Sequence, residues 1–165
     1  MTPHRGRFGA LAVTAISACA HPQAAAPAAT TLPPPSENTA RLVVLLAESA
    51  AFPRAAQATN DSLIHAQLDG ARAVQVSRVS LEVAQLAIEC VEPSVTCYAA
   101  VGRSLSAKDL LFAQIAAVKR AQLKVTITLF DVAMKTPRTR AEKVFASENE
   151  ATAGIAELVA KVTRP

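Results

Sequence analysis

Apolar residues after position 40 fall into the two spacings that strands and helices produce. Leu42–Leu46, LVVLL, is an uninterrupted apolar run, which is typical of a central strand buried on both faces. Val74–Val79, VQVSRV, alternates instead, with valines on one side and Gln75 and Ser77 on the other. This alternation predicts a half-buried strand.

The second half of the chain predicts an antiparallel hairpin. Leu110–Val118 and Leu123–Val132 are separated by a short polar turn, and the second run alternates cleanly between apolar and polar residues. A third strand is expected at Arg140–Phe145, after a loop that runs from Lys135 to Arg138.

Helical spacing occupies the intervals between these strands. Pro53 can open a helix that stops near Gly70. Ser80 and Ser94 are placed as N-caps of two short helices, the second weakened by Gly102. The first short helix is expected to bury one face, made of Leu81, Val83, Ala84, Ala87 and Ile88.

The last helix has the clearest start signal in the chain. Ser147 and Glu150 form a capping box. Behind it, one apolar face is expected from Ala151, Ile155, Leu158, Val159 and Val162. The full order, β-α-β-α-β-β-β-α, predicts a single small α/β domain over residues 41–165, with helices packed on a mixed sheet.

Residues 1–18 have the parts of a secretory signal. Arg5 and Arg7 precede a short apolar run, Phe8–Ile16, too short to span a bilayer permanently. Ile16–Cys19 resembles the lipobox of bacterial lipoproteins, which implies that Cys19 becomes the acylated, palmitate-bearing amino terminus. An ordinary secretory signal cleaved nearby and an uncleaved anchor are the alternatives. Ala20 in place of Asp favours the outer membrane under the sorting rules of such lipoproteins.

Residues 19–40 predict a lipidated, disordered tether. The stretch is rich in Pro and Ala and holds almost no large apolar side chain, so it cannot bury enough surface to offset its ordering entropy. Pro33–Pro35 favour polyproline II, and about twenty such residues at about 3.1 Å each could hold a domain roughly 60 Å from the lipid. His21 lies there alone and is not expected to bind metal.

Cys90 and Cys97 predict a structural disulfide. In one continuous helix they would lie about 10.5 Å apart along the axis, beyond disulfide reach. Glu92, Pro93 and Ser94 break the helix between them, so a turn can join the sulfurs in an oxidising periplasm. A redox or metal role is the less favoured alternative, since the spacing is not Cys-x-x-Cys.

Composition narrows the function classes. Hydrophobic residues make up 51% and aromatic ones 4%, which predicts an aliphatic core. The net charge is +4, but Arg5 and Arg7 belong to the leader, which leaves 15 basic against 13 acidic side chains. Scarce aromatic residues and an envelope location argue against nucleic-acid binding.

Catalytic signatures are sparse. His65 has no neighbouring ligand or acid in its helix and is expected to be exposed or satisfied. Asp131, at a strand end, could act as a general base, but a hydrogen bond to the following turn is favoured. We assign no catalytic residue, no cofactor and no metal ligand.

One basic group remains as a possible partner-binding site, formed by Lys135, Arg138, Arg140 and Lys143. Such charges typically mark a solvated edge strand that resists strand addition. The alternative is contact with an acidic partner, lipid headgroups or cell-wall polymer.

The runs LVVLL, VQVSRV and VTITLFDV, with the pattern from Cys97 to Ile115, resemble the amino-terminal domain of TolB and related periplasmic lipoproteins. Lipoprotein activators of penicillin-binding proteins have related domains. The resemblance covers roughly residues 41–162, but Ala113 stands where relatives usually have Gly. It implies docking to other envelope proteins.

These observations predict a lipid-anchored lipoprotein at the periplasmic face of the outer membrane. It would act without catalysis by docking to an envelope protein of the cell-wall or secretion machinery. A small-ligand binding or sensing module is the main alternative. An enzyme comes third, and would need a cleft that brings acid-base partners to Asp131 or His65.

Overall fold

A five-stranded mixed sheet organises the chain. The computed structural model describes residues 41–68, 73–90 and 92–164, so the predicted signal peptide, Cys19 and the tether lie outside the described residues. The strands are β1 (Arg41–Leu46), β2 (Ala73–Ser80), β3 (Asp109–Lys119), β4 (Gln122–Asp131) and β5 (Thr136–Phe145). The helices are α1 (Pro53–Leu68), α2 (Leu81–Ala87), α3 (Val95–Ser104) and α4 (Glu148–Thr163).

The strands lie in the order β2-β1-β3-β4-β5. β1 runs parallel to both β2 and β3, whereas β3, β4 and β5 form an antiparallel meander. This confirms the predicted mixed sheet, with β2 and β5 as its edges. β1 is an interior strand, and Leu42 to Leu45 are buried, as the unbroken apolar run predicts.

Helices α1 and α4 cover one face of the sheet. Leu63 of α1 and Ile155 of α4 belong to a single buried cluster with residues of β1, β3, β4 and β5. The two helices are joined at their amino ends, where Glu148 Oε1 accepts hydrogen bonds from the backbone N–H groups of Arg54, at 2.7 Å, and Ala55, at 3.1 Å. A residue of α4 therefore satisfies backbone donors that α1 would otherwise leave free.

Helices α2 and α3 cover part of the opposite face. Leu81 of α2 and Val101 of α3 join a second buried cluster with β1, β3 and β4. Tyr98 packs on Phe112 and Phe130, with ring centroids 4.9 and 5.7 Å away. Both helices are short, which decides how much of the sheet they can shield.

The three predicted N-caps are confirmed. Ser80 accepts a hydrogen bond from the Val83 N–H, Ser94 from the Cys97 N–H, and Ser147 from the Glu150 N–H. In return, Glu150 Oε2 accepts from the N–H of Ala146, one residue before the cap, at 2.8 Å. The apolar face predicted for α4 is also confirmed, since all five of its residues are buried.

β2 differs from its prediction because it is an edge strand. Val76 is 41% exposed, while Ser77 is only 6% exposed. Val74 and Val76 pair with Leu42 and Val44 of β1, so all four side chains point to the same face of the sheet. On that face α1 packs against β1 and β3. α1 does not extend far enough to bury Val76, whereas α2 packs against β2 on the other face.

Two further predictions are corrected, the buried face of α2 and the start of β5. Val83, at 42% exposed, and Ala87 do not join the buried face of α2, which consists of Leu81, Ala84 and Gln85. β5 begins at Thr136, so part of the predicted loop is strand. Pro137 is tolerated there because β5 is an edge and a register shift separates its pairing with Phe130 from that of Thr139 with Leu129.

Candidate docking surface

An ion-paired cluster closes one end of the meander. Arg138 donates from Nη2 to Asp131 Oδ2 at 2.6 Å and from Nε to the same oxygen at 3.1 Å. Arg138 Nε also lies 3.0 Å from Asp109 Oδ1, but its hydrogen points to Asp131, so Asp109 Oδ1 has a charge partner without a hydrogen bond among the described residues. Both carboxylates are buried.

Asp131 has a structural role. Its Oδ1 accepts a hydrogen bond from the Met134 N–H at 2.9 Å, which confirms the predicted bond to the following turn. This N–H, together with the Arg138 guanidinium, holds the pKa of Asp131 below its usual value, against the opposing effect of burial. A carboxylate with both oxygens engaged and a lowered pKa is a poor general base near neutral pH.

The four predicted basic residues do not form one patch. Arg138 is committed to its two aspartates, and Arg140 pairs with Glu142 at 3.1 Å. Lys143 lies on the other side of β5, with its Nζ 4.8 Å from the centre of the Phe145 ring. Lys135 is in the β4–β5 turn with a positive φ of 55°. All four are exposed, and their role in partner binding stays a prediction.

Part of the sheet lies beyond the reach of α2 and α3. Opposed residues of an antiparallel pair share a face, so the register defines two rows across β3, β4 and β5. One row is Gln114, Thr126 and Glu142, and the next is Ala116, Lys124 and Val144. With the adjacent Arg140, these seven residues form what we name the open sheet face.

The open sheet face mixes apolar, polar and charged side chains. Val144 is 51% exposed, and Ala116, on the far side of Lys124 in the same row, is also exposed. Thr126 is buried among its longer neighbours. The ion pair of Arg140 and Glu142 is half-exposed at the β5 side. A hydrogen-bonded three-stranded surface with this chemistry suits contact with another macromolecule.

A separate depression lies at the carboxyl end of β1. It is shallow and open, with a volume of about 640 Å³, and its lining includes Ser49, Gln57 and Asp61. The side chain of Asn60 in this depression is bound to the protein itself. Its Oδ1 accepts a hydrogen bond from the Ala47 N–H at 2.7 Å, and its Nδ2 donates to the Ala47 carbonyl at 3.0 Å. The depression lacks the enclosure that small-ligand sites usually have.

The remaining predicted residues lie elsewhere. Cys90 and Cys97 are joined by a disulfide, with Cα atoms 5.7 Å apart, across the break between α2 and α3. His65 is exposed on α1. Within residues 41–68, 73–90 and 92–164, no three acidic, His or Cys side chains converge as a metal site, and no helix is long and apolar enough to cross a bilayer.

Sequence reasoning missed the open sheet face. Its residues look like ordinary alternation, and only strand order and helix length show that none of the four described helices, α1 to α4, shields them. One signal was available, because the helices predicted after Ser80 and Ser94 are short, whereas the hairpin predicted from Leu110 to Val132 is long.

No protein-family model matches the sequence, and no curated protein matches it either. Among solved structures, the LpoB C-terminal domain from Salmonella enterica matches at 11% identity and TM-score 0.42, over 65% of this chain and 82% of that one. A PelC dodecamer from Paraburkholderia phytofirmans matches at 14% identity and TM-score 0.43, over 79% and 91%.

TolB from Acinetobacter baumannii is similar at 10% identity and TM-score 0.37, over 75% of this chain but only 28% of TolB. LpoB and TolB therefore appear among the structural neighbours of the chain. Similarity at this level transfers neither a partner nor an activity.

Proposed function

We propose that this chain is a lipid-anchored envelope protein that acts without catalysis, by docking its domain onto another envelope protein. The observation that carries the proposal is the open sheet face, where Val144 is 51% exposed on a hydrogen-bonded three-stranded surface. The leader ending in Cys19 and the Pro-rich stretch behind it support an anchored domain held on a spacer at the periplasmic face of the outer membrane.

The mode of docking follows from the edge strands. Arg138, Arg140 and Lys143 lie along β5, and charges on an edge strand oppose the addition of a further strand. A partner would therefore lie across the open sheet face and would not extend the sheet at β5. The resemblance to TolB and to activators of penicillin-binding proteins suggests a partner from the cell-wall or secretion machinery.

Asp131 and His65, the two residues considered for catalysis, are not placed together in a cleft. Asp131 binds the Met134 N–H and the Arg138 guanidinium, and both interactions stabilise the charged carboxylate. His65 lies exposed on α1, on the opposite side of the sheet from the open sheet face. These placements favour docking over acid-base chemistry.

Site-specific photocrosslinking in cells tests the docking face. A photoreactive amino acid replaces Val144, and the matched control carries it at Ala153, which is exposed on α4 on the other side of the sheet. We expect a discrete adduct with an envelope protein from position 144 and none from position 153. Equal adducts from both positions, or none from either, would refute the docking face.

Lipid attachment is tested separately by incorporation of labelled palmitate. Wild-type protein should carry the label and sediment with membranes, while Cys19→Ala should do neither. An unlabelled wild-type protein would contradict the anchor and leave the crosslinking result unaffected.

A further inference from the structure

The point where residue 40 joins the domain defines one end of the sheet. β1 begins at Arg41, and the Lys108 N–H donates to the Arg41 carbonyl at 3.0 Å. The Val132 N–H donates in turn to the Lys108 carbonyl at 3.0 Å, which places the β4–β5 turn at the same end. We call this the Arg41 end.

The carboxyl end of α4 reaches the Arg41 end as well. Thr139 near the start of β5 donates its hydroxyl to the Val162 carbonyl at 2.9 Å, and Arg164 follows as the C-cap residue. Four cations are therefore grouped there, namely Arg41, Lys108, Lys135 and Arg164.

Among the residues that the structure describes, cations outnumber free carboxylates at this end. The two acids described there, Asp109 and Asp131, are buried and share the guanidinium of Arg138. Lys161 is also close, but it pairs with Glu157 at 3.0 Å. Among the residues that the structure describes, no carboxylate lies within 4.0 Å of the charged groups of the four cations.

A large apolar side chain is displayed among these charges. Met134 is 71% exposed, the highest value among the large apolar residues whose burial the structure describes. Its backbone is fixed by the hydrogen bond from its N–H to Asp131, and the next residue, Lys135, extends the turn with a positive φ. An exposed apolar side chain next to a lysine, at an end of the sheet that carries further cations, is the chemistry of a protein surface that touches an anionic membrane.

We propose that the Arg41 end contacts the anionic phospholipid headgroups of the membrane that holds Cys19. The inference rests on the proposed anchor, since Cys19 lies 22 positions before Arg41 and the domain can move no more than about 75 Å from it. The Arg41 end is the part of the domain to which this connection is attached. That proximity favours a bilayer over a soluble acidic protein as the ligand.

Vesicle binding tests the proposal with the full chain carrying Cys19→Ala, so that no acyl chain contributes. The probes are vesicles of phosphatidylcholine alone and vesicles with equal parts of phosphatidylcholine and phosphatidylglycerol. We expect cosedimentation with the anionic vesicles only, and release as NaCl rises from about 0.1 M to about 0.5 M.

Substitutions locate the contact. Each cation near an anionic surface contributes about fivefold in binding, so Lys108→Gln with Lys135→Gln should weaken vesicle binding about 25-fold. Met134→Gln should weaken it further. The matched control is Lys119→Gln with Arg120→Gln, an exposed cationic pair in the β3–β4 turn at the opposite end. This control should bind as the parent does.

Equal binding to both vesicle types, or an equal loss in the control, would overturn the proposal. So would full inhibition by a soluble polyanion such as heparin with no cosedimentation, because the ligand would then be a free polymer. These outcomes are independent of the proposed docking function, since the vesicle assay needs neither a partner protein nor a processed Cys19.

Discussion

Arg138 stabilises the end of the meander where β3 begins and β4 ends. It carries the only positive charge that lies within 4.0 Å of the buried Asp109 and Asp131 in the described structure. Removing one partner of a buried pair commonly costs about 3 to 5 kcal/mol, because a charge is left without compensation. The Arg138 side chain is 38% exposed, so solvent screening reduces this figure.

We therefore expect Arg138→Gln to lower the free energy of unfolding by about 2 kcal/mol at neutral pH. Arg140→Gln is the matched control, two residues along the same strand, where both partners of the ion pair are half-exposed. Its loss should be about 0.5 kcal/mol or less. Urea unfolding of the two variants and the parent measures both values, and equal losses would contradict the structural role of Arg138.

The same comparison should depend on pH in a defined direction. The pKa of Asp131 is lowered from 3.8, so its pair with Arg138 contributes in full above that pH and is lost as the pH falls through the folded-state pKa. The difference between the parent and Arg138→Gln should therefore shrink below about pH 4. A difference that stays constant down to pH 2 would show that it does not come from the charged pair.

Sequence could predict only part of this cluster. An Asp at a strand end commonly binds the next turn, and the Met134 N–H confirms that local rule. The coupling to Arg138 depends on a register shift in β5, where Arg138 is the extra residue between Pro137 and Thr139. No periodicity in the sequence reveals where a bulge re-aims a side chain.

At the level of elements, Gly102 shows how packing overrides helix propensity. In an exposed helix, replacing Gly by Ala would stabilise by about 1 kcal/mol. In α3, however, a Cβ on Gly102 would overlap the side chain of Val132, whose β-branched carbon has few alternative rotamers. Overpacking of this kind costs about 1 to 3 kcal/mol, so the steric effect should win.

We expect Gly102→Ala to lower the free energy of unfolding by about 1 kcal/mol, although the sequence alone marks Gly102 as a weak point of its helix. A double-mutant cycle with Val132→Ala provides the control. The two changes together should cost at least about 1 kcal/mol less than the sum of the single changes, because the smaller side chain makes room for the new methyl group. Strict additivity would contradict the close approach.

The elements that sequence predicted well are those decided locally. The caps at Ser80, Ser94 and Ser147 depend on residues within one turn, and all three form. The burial expected for Val76 is wrong because it depends on which helix covers an edge strand, and that expected for Val83 is wrong because it depends on which side of α2 packs on the sheet. The same alternation is compatible with either face until the neighbouring elements are known.

At the scale of the molecule, the outer row of the open sheet face, formed by Ala116, Lys124 and Val144, lies far from the Arg41 end. Ala116 on the open sheet face is seven residues along β3 from Asp109 at the Arg41 end, a distance of roughly 24 Å. A domain with its Arg41 end on the bilayer would therefore keep the open sheet face available. Sequence predicted the element types and the mixed sheet but neither surface, since both arise from strand order and helix length.

The length of the predicted tether should therefore decide how far from the membrane the open sheet face can meet a partner. Deleting residues 22–35 leaves seven residues between Cys19 and the domain and shortens the polyproline II length of the tether from roughly 60 Å to roughly 20 Å. We expect the deletion to reduce the photocrosslink from position 144, because a partner away from the membrane would engage only domains whose Arg41 end has left the bilayer, and the shortened tether could no longer carry them to it. Unfolding free energy and vesicle binding should not change.

A control chain carries a Gly/Ser segment of equal length in place of residues 22–35. It should restore the crosslink, because reach and not a specific tether sequence is proposed to matter. If the shortened chain crosslinks fully, the partner lies next to the bilayer and the spacer role fails. If the Gly/Ser chain also fails to crosslink, the segment itself takes part in binding. Either result would separate the docking of the domain from the reach of its anchor.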